Sequence, residues 1–325
     1  MYDTIYHYFL KFLRRKVYPR LFMSHILKPP QCEMDLQKSN DLIYDALSGD
    51  KPCMIARLGA SEMSVISNYI YVTRGKQSII RYIKGYGGEW WWNQRSLQQL
   101  NQWSGVFPST IEIAERFSRL SIADCKEVDV LGSWIPEEAL LSEELKHSIK
   151  VQLFNLEPFF ATNPWTRCLS GKKVLVVHPF KETICAQYER RTLLFKNQDI
   201  LPKFDLIVYK SVQSISGNTD YANWFDALHK MEQDIDKIDF EIAIIGCGAY
   251  GFSLAAHIKR SGKKAVHLGG ATQLLFGIKG KRWEMPTTAM SRNGYYPDLF
   301  NEYWCKPGEN ERPKNANKVE NGCYW

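Results

Sequence analysis

Glu241-Ile242-Ala243-Ile244-Ile245-Gly246-Cys247-Gly248-Ala249-Tyr250-Gly251 is the stretch that decides the fold. Residues 242–245 are apolar without alternation, the pattern of a strand covered on both faces in a parallel sheet. Three glycines follow within six positions, and a helical pattern then runs over about 249–261. Glycines in such a turn let backbone approach a phosphate, and the helix start offers N–H donors to an anion. The alternative use of the same glycines is close packing of helix on strand.

Working outward, the same grammar recurs. Strands are expected at Cys53–Ala56, Val128–Leu131, Lys173–Val177, Leu206–Tyr209 and Ala265–Leu268. Helices are expected up to about Leu47, after Ser61, and near 109–119, 182–197 and 221–236. Alternating strand and helix predicts a Rossmann-like α/β domain, a mostly parallel sheet covered by helices. The expected organisation is a basic amphipathic segment over 1–30, one domain over 31–305, and a polar, flexible tail over 306–325.

Charge is unevenly placed. The chain carries +7, yet residues 1–30 hold six lysines and arginines against Asp3 alone, which leaves +2 for the rest. A body so nearly neutral excludes a broad nucleic-acid-binding face. Ile5, Phe9, Phe12, Leu13 and Val17 follow helical spacing over residues 4–18, with Lys11, Arg14, Arg15 and Lys16 between them. Pro19 is expected to end or kink that helix. Such a segment suits either an anionic membrane interface, reached through residues 1–28, or packing on the domain with its charges solvated. Charge interrupts the apolar residues too often for a secretory leader, and no run approaches the ~18 needed to span a bilayer. Eight cysteines without a C-x-x-C pair read as reduced, mostly buried thiols. A cytoplasmic protein is expected, peripheral at the inner face of the membrane if the segment binds there.

The chemistry should lie beyond the carboxyl ends of the strands. A dinucleotide site needs an acidic residue about 20 positions after the first glycine. The next strand ends instead in His267-Leu268-Gly269-Gly270, so no NAD is expected and a different phosphate-bearing ligand is preferred; the alternatives are an NAD(P)-dependent oxidoreductase or epimerase, resting on Gly246–Gly251, and a non-catalytic nucleotide-sugar-binding protein. Gly246, Gly248, Tyr250, Gly251, Gly269 and Gly270 are the candidate donor-binding positions. Lys279, Lys281 and Arg282 would neutralise a diphosphate, or form an ordinary solvated loop. Arg57 and Glu62 follow the first strand and suit a site; they equally suit a mutual ion pair or a helix cap. His178 ends another strand, where it would contact phosphate, act as an acid, or sit buried and satisfied. Trp90, Trp91 and Tyr86 offer faces for an acceptor sugar, though packing is the commoner use of tryptophan.

Two regions resemble the GT-D fold glycosyltransferases. One is the early strand with Arg57-x-Gly59-x-x-Glu62; the other is the late strand with its glycine turn, Leu254-Ala255, and Gly262-Lys263-x-Ala265-x-x-x-Gly269. The likeness covers about residues 50–285. It implies a nucleotide-sugar donor, a UDP-sugar such as UDP-glucose, and a glycan or lipid-linked acceptor in surface polysaccharide biosynthesis. It also implies a divalent metal, Mg²⁺ or Mn²⁺, near an Asp-x-Glu motif. Arg57 and Glu62 match the family's Arg and Glu. The Asp position holds Ala60, which cannot ligate a metal, so Glu62 is left as a lone ligand or as a base.

Overall fold

The computed structural model describes residues 3–214, 219–285, 288, 290–312, 322 and 324. Seven strands form one sheet: β1 (Cys53–Ala56), β2 (Val130–Ser133), β3 (Ile149–Gln152), β4 (Lys173–His178), β5 (Asp205–Lys210), β6 (Ile242–Ile245) and β7 (Lys264–His267). Their order is β3-β2-β1-β7-β6-β4-β5, and every pair is parallel. The Rossmann-like expectation therefore holds, with the stretch that predicted it, β6, in the interior of the sheet beside the central β7. Its register aligns Ile244 with Val176 on one side and with Val266 on the other.

Three helices precede the sheet: α1 (Ile5–Phe12), α2 (Tyr18–Leu21) and α3 (Leu36–Ser48). Parallel strands need crossover connections, and these carry α4 (Ala60–Arg74), α5 (Ile79–Ile83), α6 (Gln94–Ser104), α7 (Ile111–Asp124), α8 (Lys181–Glu189), α9 (Trp224–Ile235) and α10 (Tyr250–Arg260). The pleat sends alternate residues to opposite faces. Met54, Ala56, Leu175, Val177, Ala243 and Ile245 face a core shared with α4, α6, α7, α9 and α10. Cys53, Ile55, Val174, Val176, Ile242 and Ile244 face a second core shared with α3 and α8.

The basic N-terminal helix is interrupted around Pro19, which was expected to end or kink it: a π-helical turn, Leu13–Val17, leads into α2, which closes at Leu21. Two expectations change. The N-terminal segment is not separate, because it packs on residues 79–92. Of the expected polar tail, residues 306–312 are described, and Glu311 is buried there, its carboxylate accepting the backbone N–H of Glu182 and Thr183. The described cysteines are unpaired, as expected, but only Cys53, Cys125 and Cys247 are fully buried.

Candidate functional site

The loops leaving β1, β2, β4, β5, β6 and β7 converge on one cavity of about 260 Å³. It lies where open α/β sheets bind ligands, beyond the strands' carboxyl ends. Arg57 and Glu62 come from the β1–α4 connection, His178 ends β4, and the turns at Gly246–Gly248 and Gly269–Gly270 follow β6 and β7. One cavity therefore gathers residues from both halves of the sequence.

The glycine turns do two different jobs. Gly248 and Gly269 have φ of +62° and +64°, a backbone region that favours glycine. Gly246 and Gly251 are packing glycines. A Cβ at Gly246 would lie 2.7 Å from the Gly269 carbonyl and from Thr272, and one at Gly251 would overlap the His267 ring. Gly251 is thus at the back of the turn, not on the cavity wall, which corrects its expected donor contact. The Ala249 N–H is taken by the Ser104 carbonyl at 3.2 Å. Those of Cys247 and Gly248 donate to no backbone acceptor among the described residues and remain for a ligand.

Arg57 lies against Gly269, with its guanidinium 5.5 Å from the centre of the Trp134 ring. Its Nε is buried without a hydrogen-bond partner, and it makes no ion pair among the described residues. Trp134 is fixed in turn: its indole N–H donates to Leu58 O at 3.0 Å, and the buried Glu138 carboxylate accepts its backbone N–H and that of Ile135. Arg282 reaches the same cavity, holding the Tyr324 hydroxyl at 3.0 Å.

Glu62 is the one carboxylate lining the cavity among the described residues. It lies in the first turn of α4, and its carboxylate folds back over Gly59, where a Cβ would overlap it. The Arg57–Glu62 ion pair that was the alternative to a site is not among the ion pairs of the described residues. Among the described residues no three His, Cys, Asp or Glu side chains group as a metal site. With alanine at position 60, the donor set does not fit a protein-held divalent cation.

His178 is buried, and its Nδ1 accepts the Phe180 N–H at 3.1 Å. Burial lowers its pKa to about 3, so it is neutral at pH 7 and unsuited to act as an acid, which corrects that expectation. A neutral ring with Nδ1 accepting carries its proton on Nε2 and so keeps one donor. His267 is the counterpart on β7. Burial, reinforced by Arg57, likewise lowers its pKa to about 3, and its Nδ1 has no partner. Tyr250 stacks on Trp224 at 5.0 Å and its hydroxyl meets Ser214 at 2.8 Å, so it shapes the cavity floor with its polar atom already engaged.

The remaining expected residues lie elsewhere. Lys279 sits over the Phe300 ring, and Lys281 is exposed; neither lines the cavity. Trp91 is 1% exposed and stacks on His7 at 4.0 Å, with Trp90 edge-on at 4.9 Å. Tyr86 stacks on His25. These aromatics seat the N-terminal segment and do not line the cavity. The tryptophans at the cavity are Trp103 and Trp134, each 39% exposed. Trp103 belongs to α6, which sequence reading missed although Asn93 caps it, Leu97 and Leu100 give its apolar spacing, and Gly105 ends it.

No family model and no curated protein matches the chain. Two solved structures are similar to it. One, "A New Glycosyltransferase (DUF1792) from Streptococcus sanguinis", is 11% identical with a TM-score of 0.36, over 86% of this chain and 96% of that one. The other, a selenomethionine-substituted structure of domain of unknown function 1792, is 10% identical with a TM-score of 0.36, over 86% and 92%. At these values the likeness is distant, and the functional reading rests on the site itself.

Proposed function

We propose that this chain is a glycosyltransferase that uses a nucleotide-sugar donor. The observation that carries the reading is Arg57. A guanidinium with a buried, unpartnered Nε and no carboxylate partner lines a cavity beside glycine-turn backbone with unused N–H groups. That arrangement suits a diphosphate, which accepts from a planar fork and from backbone donors together. Arg282 adds a second cation. The motif likeness around Arg57-x-Gly59-x-x-Glu62 and Gly262–Gly269 points the same way.

In this reading Glu62 is the base that takes the proton from an acceptor hydroxyl as the sugar is transferred. The neutral Nε2–H of His178 is a further donor to the diphosphate or the sugar. Trp103 and Trp134 give apolar faces to a sugar or a nucleobase, the role first expected of Trp90, Trp91 and Tyr86. At about 260 Å³ the cavity falls just below the roughly 300–1,000 Å³ typical of small-molecule sites, so part of a bound donor would extend toward solvent. The donor is expected to be a UDP-sugar, and the acceptor a glycan or lipid-linked glycan of surface polysaccharide synthesis.

Thermal scans with UDP, UDP-sugars, other nucleotide sugars and NAD⁺ test this reading. A donor at a hundredfold excess over Kd should stabilise by about 2.7 kcal/mol. No shift with any nucleotide sugar, or a shift with NAD⁺ alone, rejects it.

A further inference from the structure

The whole of the chain's net charge sits on one structural unit. Residues 3–28 and 75–92 pack together: His7 and Leu10 of α1 lie against Tyr82 and Trp91, and Arg14 donates to Gly87 O at 2.7 Å over the Tyr82 ring. Farther along, the His25 N–H donates to Lys84 O at 2.9 Å and its ring stacks on Tyr86. These two segments hold nine lysines and arginines against Asp3 and Glu89, a net of +7, so the rest of the chain sums to zero. Both carboxylates are taken by Lys11, at 2.7 and 3.2 Å. Apart from Lys11 and Arg14, all the unit's cations are exposed and make no ion pair among the described residues.

The same unit concentrates exposed apolar surface. It carries twelve of the twenty-one large apolar or aromatic side chains exposed among the described residues. On α1 the buried stripe of His7, Leu10 and Lys11 is opposed by Ile5, Phe9 and Phe12, about half a turn away. Met23 is 96% exposed although its loop is pinned by His25. Ile79 and Ile80 of α5, which packs on α1 and the π-helical turn, are exposed as well.

We propose that this composite face docks on the interface of an anionic lipid bilayer, with α5 inserting beside the N-terminal segment. Large apolar side chains interleaved with unpaired cations match an interface that is apolar below and anionic above. Two copies would bring +7 against +7, which opposes self-association through this face. A polyanion without an apolar layer would leave the isoleucines, phenylalanines and Met23 in water. The inference is independent of the glycosyltransferase reading, because its readout is binding to vesicles.

Full-length protein is co-sedimented with vesicles of phosphatidylcholine containing 30% phosphatidylglycerol and with pure phosphatidylcholine. Binding is expected to the anionic vesicles and to fall steeply with salt. R15S/K16S/R20S should weaken it by roughly a hundredfold at low salt, at about tenfold or less per charge. I79S/I80S should weaken it about tenfold or more while leaving Tm unchanged, since both side chains are exposed. Absence of binding, equal binding to neutral vesicles, or wild-type binding by I79S/I80S overturns the proposal. So does sedimentation equilibrium showing a dimer that I79S/I80S dissolves.

Discussion

Replacing Arg57 by methionine separates a ligand-binding arginine from a structural one. In the free protein the substitution removes the contact with the Trp134 face, worth about 0.5–1 kcal/mol. It also removes a buried Nε without a partner, a group whose burial costs about 1–3 kcal/mol. The two effects oppose each other, and methionine keeps most of the bulk. Tm should therefore stay within about 3 °C of wild type or rise. With ligand bound the balance is different, because hydrogen bonds from a charged donor contribute about 1.5–3 kcal/mol, roughly 10–150-fold in Kd. Titration calorimetry with UDP and a UDP-sugar, paired with thermal scans of the free protein, reads both quantities. A Kd within about threefold of wild type would remove Arg57 from the anion site. A fall in Tm of about 10 °C or more would make it a structural residue instead.

Three further outcomes follow from Glu62 and Glu157. Glu62→Gln should keep Tm and nucleotide affinity while lowering transfer by roughly 10²–10⁴-fold, the usual contribution of a positioned base; wild-type turnover in this variant excludes Glu62 from the reaction. Wild-type turnover should also persist in EDTA, because Glu62 alone does not hold a cation, and complete loss rescued by Mn²⁺ would show ligands beyond it. Glu157, whose carboxylate accepts from the Tyr296 hydroxyl at 2.7 Å, has its pKa raised by burial to about 7. A raised folded-state pKa favours the protonated, folded form, so its contribution to stability is full below about 4.5 and is lost as pH rises through about 7. Glu157→Gln should match wild type near pH 4.5 and exceed it above pH 7, by on the order of 3 kcal/mol at most. Parallel stability curves for the two proteins would show that Glu157 is charged at neutral pH in the fold.

The buried strands were legible because each is a continuous apolar run that only a sheet covered on both faces can accommodate. β3 was not. It is an edge strand whose Ile149-Lys150-Val151-Gln152 buries Val151 alone, so one inward residue carried the whole signal. Proline was legible in outcome but not in detail: Pro19 was expected to end or kink the N-terminal helix, and a π-helical turn precedes it with the helix closing at Leu21.

The site divides along the same line. Residues placed by backbone position, immediately after strands, were found: Arg57, Glu62, His178 and both glycine turns reach the cavity because a parallel sheet sends all its strand ends to one edge. Of the residues judged by composition, Arg282 reaches the cavity while Lys279, Lys281, Trp90, Trp91 and Tyr86 lie away from it. Three consecutive tryptophans and a basic loop signal aromatic and cationic content without direction. Trp91 turns inward onto His7, while Lys281 turns to solvent. The cavity's tryptophans, Trp103 and Trp134, were legible only through position: Trp134 follows β2 directly, and Trp103 lies at the end of a helix whose Ser104 carbonyl caps the glycine turn. Direction in an α/β fold thus comes from connectivity. The same logic gives His267, the last residue of β7, its place: it stands where a dinucleotide fold would put its ribose acid, and burial beside Arg57 makes a neutral ring the only form that position tolerates at pH 7.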